Sequence, residues 1–152
     1  MRRKDKEILD QDEIYRIIQK ARYCRVAFCD GERPYVLPFN YGYANGALYI
    51  HCAPEGRKIA ILKKNNRVCF QLDTDVQMSE GEIACGWSVK YRSVIGNGTC
   101  QIIQEAEGLK EGLKILMAQY SDKQYEITDK DLKGVVLLKI EIDEVTGKQS
   151  GF

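Results

Sequence analysis

The chain has 152 residues, a formal net charge of +1 and 44% apolar side chains, which suits one domain, residues 1–152, whose core needs neither disulfide nor metal. Near-neutral charge gives no broad basic field, so nucleic acid and anionic membranes are not expected partners. Six cysteines, at 24, 29, 52, 69, 85 and 100, form no C-x-x-C pair, and no apolar run resembles a signal peptide or a bilayer span, so reduced thiols in the cytoplasm are expected. No metal site is expected either, because the single histidine and scattered sulfurs do not cluster.

Residues 1–7 are charged and expected to be loose. Asp10 followed by Glu13 resembles a capping box, and Ile14, Ile17, Ile18 and Ala21 then repeat at helical spacing. A strand is predicted over 24–29, with Val26 and Phe28 on one face, closed by Asp30-Gly31. A second is predicted over 35–43 after Pro34, and Asn45-Gly46 signals a hairpin into a third over 47–52. A short helix over 57–64, a strand over 67–73 and a polar connection over 74–82 follow. Residues 85–103 read as one long bent strand or two consecutive ones, with Gly96 and Gly98 marking a bulge or a barrel corner. Leu109, Leu113, Leu116, Met117 and Tyr120 define an amphipathic helix, and a last strand over 135–142 leads into a polar tail. About six antiparallel strands with few helices predict a mainly β fold, a small closed or split β-barrel. No G-x-G-x-x-G follows a strand, which disfavours a Rossmann site.

The segment Tyr49-Ile50-His51-Cys52-Ala53-Pro54-Glu55-Gly56-Arg57-Lys58 carries the clearest chemistry. A strand bearing the only histidine breaks at Pro and Gly and becomes a helix that opens on two cations, a layout suited to phosphate. Arg57 can grip two oxygens with its planar fork, and Lys58 supplies a mobile charge; the alternative is a solvated helix end. Strand alternation puts His51 with Ala47 and Tyr49, opposite Leu48 and Ile50. It can donate a proton, position a substrate, ligate haem iron, or simply bond a nearby backbone group. Pro38 lacks a ladder donor and implies an edge or interrupted strand. Asn40, on the same face, either bonds a ligand there or is a satisfied edge residue. Tyr35, Phe39, Tyr41 and Tyr43 share one parity and read as a packing face. Trp87 suits core or interface packing, or a wall over a ligand. Cys52 reads as an inert thiol more readily than a reactive one.

Together these residues resemble the pyridoxamine 5′-phosphate oxidase-like FMN-binding split barrels, in particular the nitroimidazole-resistance branch. The resemblance rests on Ala21-Arg22-Tyr23-Cys24-Arg25-Val26-Ala27, on Pro34-Tyr35-Val36-Leu37-Pro38-Phe39-Asn40-Tyr41-Gly42-Tyr43, and on the segment from Leu48 to Lys58. It also rests on Tyr91-Arg92-Ser93-Val94-Ile95-Gly96-Asn97-Gly98 and Leu116-Met117-Ala118-Gln119-Tyr120, in that order along nearly the whole chain. It implies a homodimer with FMN in two clefts at the subunit interface. Arg57 and Lys58 would hold the phosphate, and the strand through Pro38, Asn40 and Tyr41 would lie along the ring. Tyr91 and Ser93 would complete the cofactor set, with Ser93 offering a hydroxyl to the ribityl chain or phosphate, unless it is a plain strand hydroxyl. His51 would handle substrate.

The chain ends without the Arg-x-His motif of true pyridoxamine phosphate oxidases, so vitamin B6 oxidation is not implied. What remains is NAD(P)H-dependent reduction of FMN and of a small acceptor such as a nitroaromatic. Two alternatives stand beside it: a haem-handling barrel that uses His51, and a non-catalytic flavin-binding redox sensor.

Overall fold

The computed structural model describes residues 2–152, and Met1 lies outside them. Apolar residues at every second position build the sheet. In β2 (Cys24–Asp30), Cys24, Val26 and Phe28 are buried while Arg25, Ala27 and Cys29 face outward. The same alternation runs through β3 (Arg33–Phe39), β6 (Arg67–Ser79) and β7 (Ser88–Ile103). β4 (Gly42–Ala44), β5 (Ala47–Cys52), β8 (Val136–Ser150) and the short β1 (Glu7–Ile8) complete eight strands. All pairings are antiparallel, in the order β3-β2-β6-β7-β8-β5-β4, with β1 added beside β8.

The two edges of this sheet, β3 and β4, are consecutive in the chain and joined only by Asn40 and Tyr41. So short a link brings the end of β3 beside the start of β4, so the sheet curls round toward closure while its two edges stay unpaired, which makes a split barrel. Phe28, Phe70, Leu72, Leu48, Ile50, Leu138 and Ile140 fill it. α1 (Gln11–Lys20) adds Ile14, Ile17 and Ile18 to that core, and α2 (Arg57–Leu62) adds Ile59, Ile61 and Leu62. α3 (Ala106–Ala118) packs on β4, β5 and β8, where Leu109 meets Ala47, Tyr49 and Leu137 in a second cluster. β5 is therefore covered on both faces until His51, which is exposed.

Several expectations are corrected. Residues 4–8 are ordered: a 3₁₀ turn at Lys4–Lys6 leads into β1, which pairs with Gly147 and Lys148, and Lys6 Nζ donates to Ser150 Oγ at 2.8 Å. Asp10 caps α1 by accepting the Asp12 N–H at 2.9 Å, but Glu13 pairs with Arg16 rather than closing a capping box. The strand expected over 35–43 is two strands. The break is Tyr41, which turns its ring into the core and donates its hydroxyl to the Ile18 carbonyl. The polar connection expected over 74–82 is largely β6, which passes a register shift between Thr74 and Gln77 with Asp75 in the left-handed region. The expected polar tail is strand as well, since β8 runs to Ser150 opposite Tyr91. Residues 88–103 form one strand, with a register irregularity at Asn97/Gly98 where the two glycines announced one. All six cysteines are free, and no helix among the described residues is long and apolar enough to cross a membrane.

Candidate functional site

The outward positions of β2, β3, β6 and β7 form a common surface, and the register divides the expected residues between its two ends. At one end Pro38 lies opposite Arg25, Arg25 opposite Gln71, and Asp73 opposite Ser93. Arg25 Nη1 donates to Gln71 Oε1 at 3.0 Å and pairs with Asp73 Oδ1 at 3.1 Å, and Gln71 Nε2 donates to the same carboxylate oxygen at 3.0 Å. The Arg25 guanidinium also sits 5.0 Å from the centre of the Tyr23 ring, and Nη2 donates to its hydroxyl at 3.2 Å. These groups, with Val76, Val89, Tyr91 and Ser93, line a groove of about 540 Å³.

Asn40, just beyond Pro38, is exposed and makes no side-chain hydrogen bond among the described residues, so its amide is available to a ligand. Tyr41 is different. Its ring is fully buried and its hydroxyl is spent on Ile18, which leaves only its backbone for a ligand and corrects any side-chain role at the surface.

At the other end stand His51, Arg57 and Lys58. The two ends of β2 separate these groups: Arg25 belongs to the first and Asp30 to the second. Five strand residues amount to about 16 Å at ~3.3 Å each. Arg57 Nε donates to Asp30 Oδ2 at 2.9 Å, Nη2 lies 2.8 Å from the same oxygen, and the guanidinium rests 4.5 Å from the Tyr35 ring centre. One edge of the Arg57 fork is thus committed, and its Nη1 side remains for an anion. Lys58 has no carboxylate partner among the described residues. α2 is only six residues long, so the cationic side chains rather than a helix dipole would dominate anion binding.

Burial raises the pKa of the Cys52 thiol, and Lys58 only partly opposes this, so a reactive thiolate is disfavoured. Trp87 is 52% exposed and is not a core residue of the single chain. Among the described residues no three His, Cys, Asp or Glu side chains group to hold a metal.

Sequence reasoning missed Arg25, Gln71 and Asp73. Their signal is weak but real: polar residues at outward positions of strands whose inward positions are uniformly apolar. What joins them is strand register, which the sequence does not display.

Comparison with known proteins agrees with the architecture. The pyridoxamine 5′-phosphate oxidase family model matches residues 10–149, and the chain belongs to that family. A Bacteroides thetaiotaomicron VPI-5482 protein, assigned only provisionally to 5-nitroimidazole antibiotic resistance, is similar in structure with a TM-score of 0.83. It is 34% identical, over 94% of this chain and 86% of its own. The FAD and heme binding protein of Mycobacterium smegmatis superposes with a TM-score of 0.85 at 18% identity, over 97% of this chain and 74% of that one, a likeness of fold. An uncharacterized protein of Rhizobium meliloti (strain 1021) is 26% identical over 101 residues, 66% of this chain, and the match spans 60% of that relative.

Proposed function

We propose that the protein binds FMN in clefts shared by two copies of the chain and acts as an NAD(P)H-dependent reductase of small acceptors, nitroaromatics among them. The observation that carries this reading is the division of the outer surface. The cations suited to a phosphate and the polar groove suited to a ring and its ribityl hydroxyls stand at opposite ends of one protomer. A two-fold dimer with the strands of the two copies running oppositely brings one end of each against the other end of its partner.

The residues fit such a cofactor. Lys58 and the free side of Arg57 suit a phosphate dianion. Ser93, Gln71 and the Asn40 amide offer the neutral donors and acceptors that hydroxyls and a heterocycle edge require. Pro38 presents a flat surface with no N–H, and Arg25 sets guanidinium donors beside the groove, its charge offset and its position held by Asp73. Bound flavin supplies hydride acceptance from a nicotinamide and electron delivery to the acceptor. His51, exposed at the cation end, orients the acceptor or gives it a proton. Six free thiols suit a reducing cytoplasm.

The test is the absorption spectrum of the purified protein, followed by anaerobic addition of NADH or NADPH. Flavin bands that bleach with nicotinamide and recover with a nitroaromatic support the proposal. A bound flavin that does not turn over leaves a non-catalytic binder. A Soret band would replace the reading with haem handling through His51, which the likeness to a FAD and heme binding protein keeps in view.

A further inference from the structure

Beyond Thr74 the β6–β7 pair leaves the barrel. β2 pairs with β6 no further than Gln71, and β8 reaches β7 no further than Tyr91. Residues 77–79 and 88–90 therefore pair only with each other, as the stem of a two-stranded arm with no third strand beside it. A lone hairpin is at best marginally stable in water. This one also exposes Val76 and Met78, with Ile83 at 70% and Trp87 at 52%. Apolar residues so arranged on a projecting hairpin call for a cover.

Charge identifies the cover. From Asp73 to Trp87 the sequence holds four carboxylates, at 73, 75, 80 and 82, and no cation. From Gly56 to Arg67 it holds five cations, at 57, 58, 63, 64 and 67, and no carboxylate. Several members are neutralised within the chain: Asp73 by Arg25, Asp75 by Lys20 and Arg92, Arg57 by Asp30, Arg67 by Asp143. Glu80 and Glu82 toward the tip of the arm, and Lys58, Lys63 and Lys64 around α2, have no ion-pair partner among the described residues; Lys90, also without one, lies at the root of the arm beside the barrel. The arm leaves the barrel at the groove end of the outer surface, while α2 lies at the other end.

We infer that residues 76–90 are a dimerisation arm that docks on a second copy of this chain. Its glutamates lie against the partner subunit's Lys63 and the partner subunit's Lys64, and Trp87 is buried in the contact. Opposite charge at opposite ends selects the two-fold that runs the strands of the two copies in opposite senses. The inference rests on the shared-cleft reading above and names the element that builds the cleft.

Trp87 is the only tryptophan, so indole emission, excited at wavelengths where the tyrosines do not absorb, reports on the arm alone. Sedimentation together with acrylamide quenching should show a dimer with a shielded indole that becomes accessible on dilution to monomer. A dimer whose indole is as accessible as in water overturns the arm and leaves the shared cleft standing; a monomer at all concentrations overturns both. Reversing the arm charges (Glu80→Lys with Glu82→Lys) or the lysines (Lys63→Glu with Lys64→Glu) should each weaken self-association about tenfold. Combining all four should restore it, and a quadruple variant that associates no better than either double overturns the docking.

Discussion

The hydroxyl of Tyr120 accepts the backbone N–H of Tyr41 at 2.9 Å and donates to the carbonyl of Arg22 at 2.8 Å. One side chain beyond α3 thereby ties the seam of the barrel to the segment after α1. Because Tyr41 sits where β3 ends and β4 begins, its N–H has no ladder partner, and Tyr120 takes the place of a strand. Tyr120→Phe should leave that donor unpaired and cost about 1–3 kcal/mol. Urea denaturation should show a lower midpoint at unchanged m. An unchanged midpoint would mean that water serves the N–H equally well.

Flavin affinity should respond to the Arg57–Asp30 pair in a particular order. Lys58→Ala should weaken FMN binding about tenfold or more while sparing riboflavin, which lacks the phosphate. Arg57→Ala should do worse, since it removes a donor and leaves the Asp30 carboxylate beside the phosphate. Adding Asp30→Asn to Arg57→Ala should recover part of the loss. Fluorescence titration of the apoprotein with both ligands measures all three effects. Equal losses for FMN and riboflavin would dismiss the phosphate assignment.

On the proposed function His51→Ala should retain flavin and lose acceptor reduction, because the imidazole is exposed and adds little to the fold. Cofactor content and steady-state rates, measured on one preparation, separate the two. Unchanged rates would reduce His51 to a surface residue.

Asp75 carries a pH signature. The Lys20 ammonium above all holds its carboxyl below the ordinary carboxylate range; burial opposes this, and the Arg92 guanidinium and the Thr74 hydroxyl add smaller lowering effects. A carboxylate whose pKa is lowered on folding stabilises above its unfolded pKa and loses that contribution as pH falls through the folded value. Asp75→Asn tolerates the same left-handed backbone, so it should cost about 1 kcal/mol at neutral pH. The difference should shrink as the pH drops below about 4. Thermal melts at pH 7 and pH 3 compare the two proteins; a gap that widens in acid would contradict the assignment.

Gly42→Ala should prise α3 from the seam. A Cβ at this position would lie 2.5 Å from the Ile115 carbonyl oxygen and 2.6 Å from Leu116 Cα, both of them backbone, so a rotamer change cannot relieve the clash. A loss of about 1–3 kcal/mol is expected by differential scanning calorimetry. No loss would mean that the helix shifts freely.

Local signals in the sequence carried most of the fold. Ile14, Ile17 and Ile18 located α1, and Asn45-Gly46 located a hairpin whose two residues both take positive φ. Pro38 correctly implied an edge strand. The second half of β8 was hidden because its inward position 147 must be glycine: a Cβ there would strike Ile14 and Ile8, so the apolar alternation lapses where α1 and β1 press closest. The outer part of β6 was hidden because it has a single strand neighbour and solvent access, which permits polar residues. The residues proposed for a phosphate and a ring were visible in the sequence as motifs. Their placement at opposite ends of one chain's outer surface was not, since it depends on pairings such as Asp73 with Ser93 and on Arg57 folding back to Asp30.

The prolines of β3 have a further effect, on colloidal behaviour. Positions 34, 36 and 38 share one parity, and a proline paired with β2 can occupy it only where the backbone nitrogen points away from β2, toward the open edge. Two of those three nitrogens carry no hydrogen, so Val36 alone offers a donor there. To an unfolded or foreign segment approaching this side β3 can donate only one N–H bond, although its outward carbonyls can still accept. The edge exposed by the split is thereby a poorer template for amyloid-like strand addition, and the exposed Arg33 at its start adds a charge to that defence.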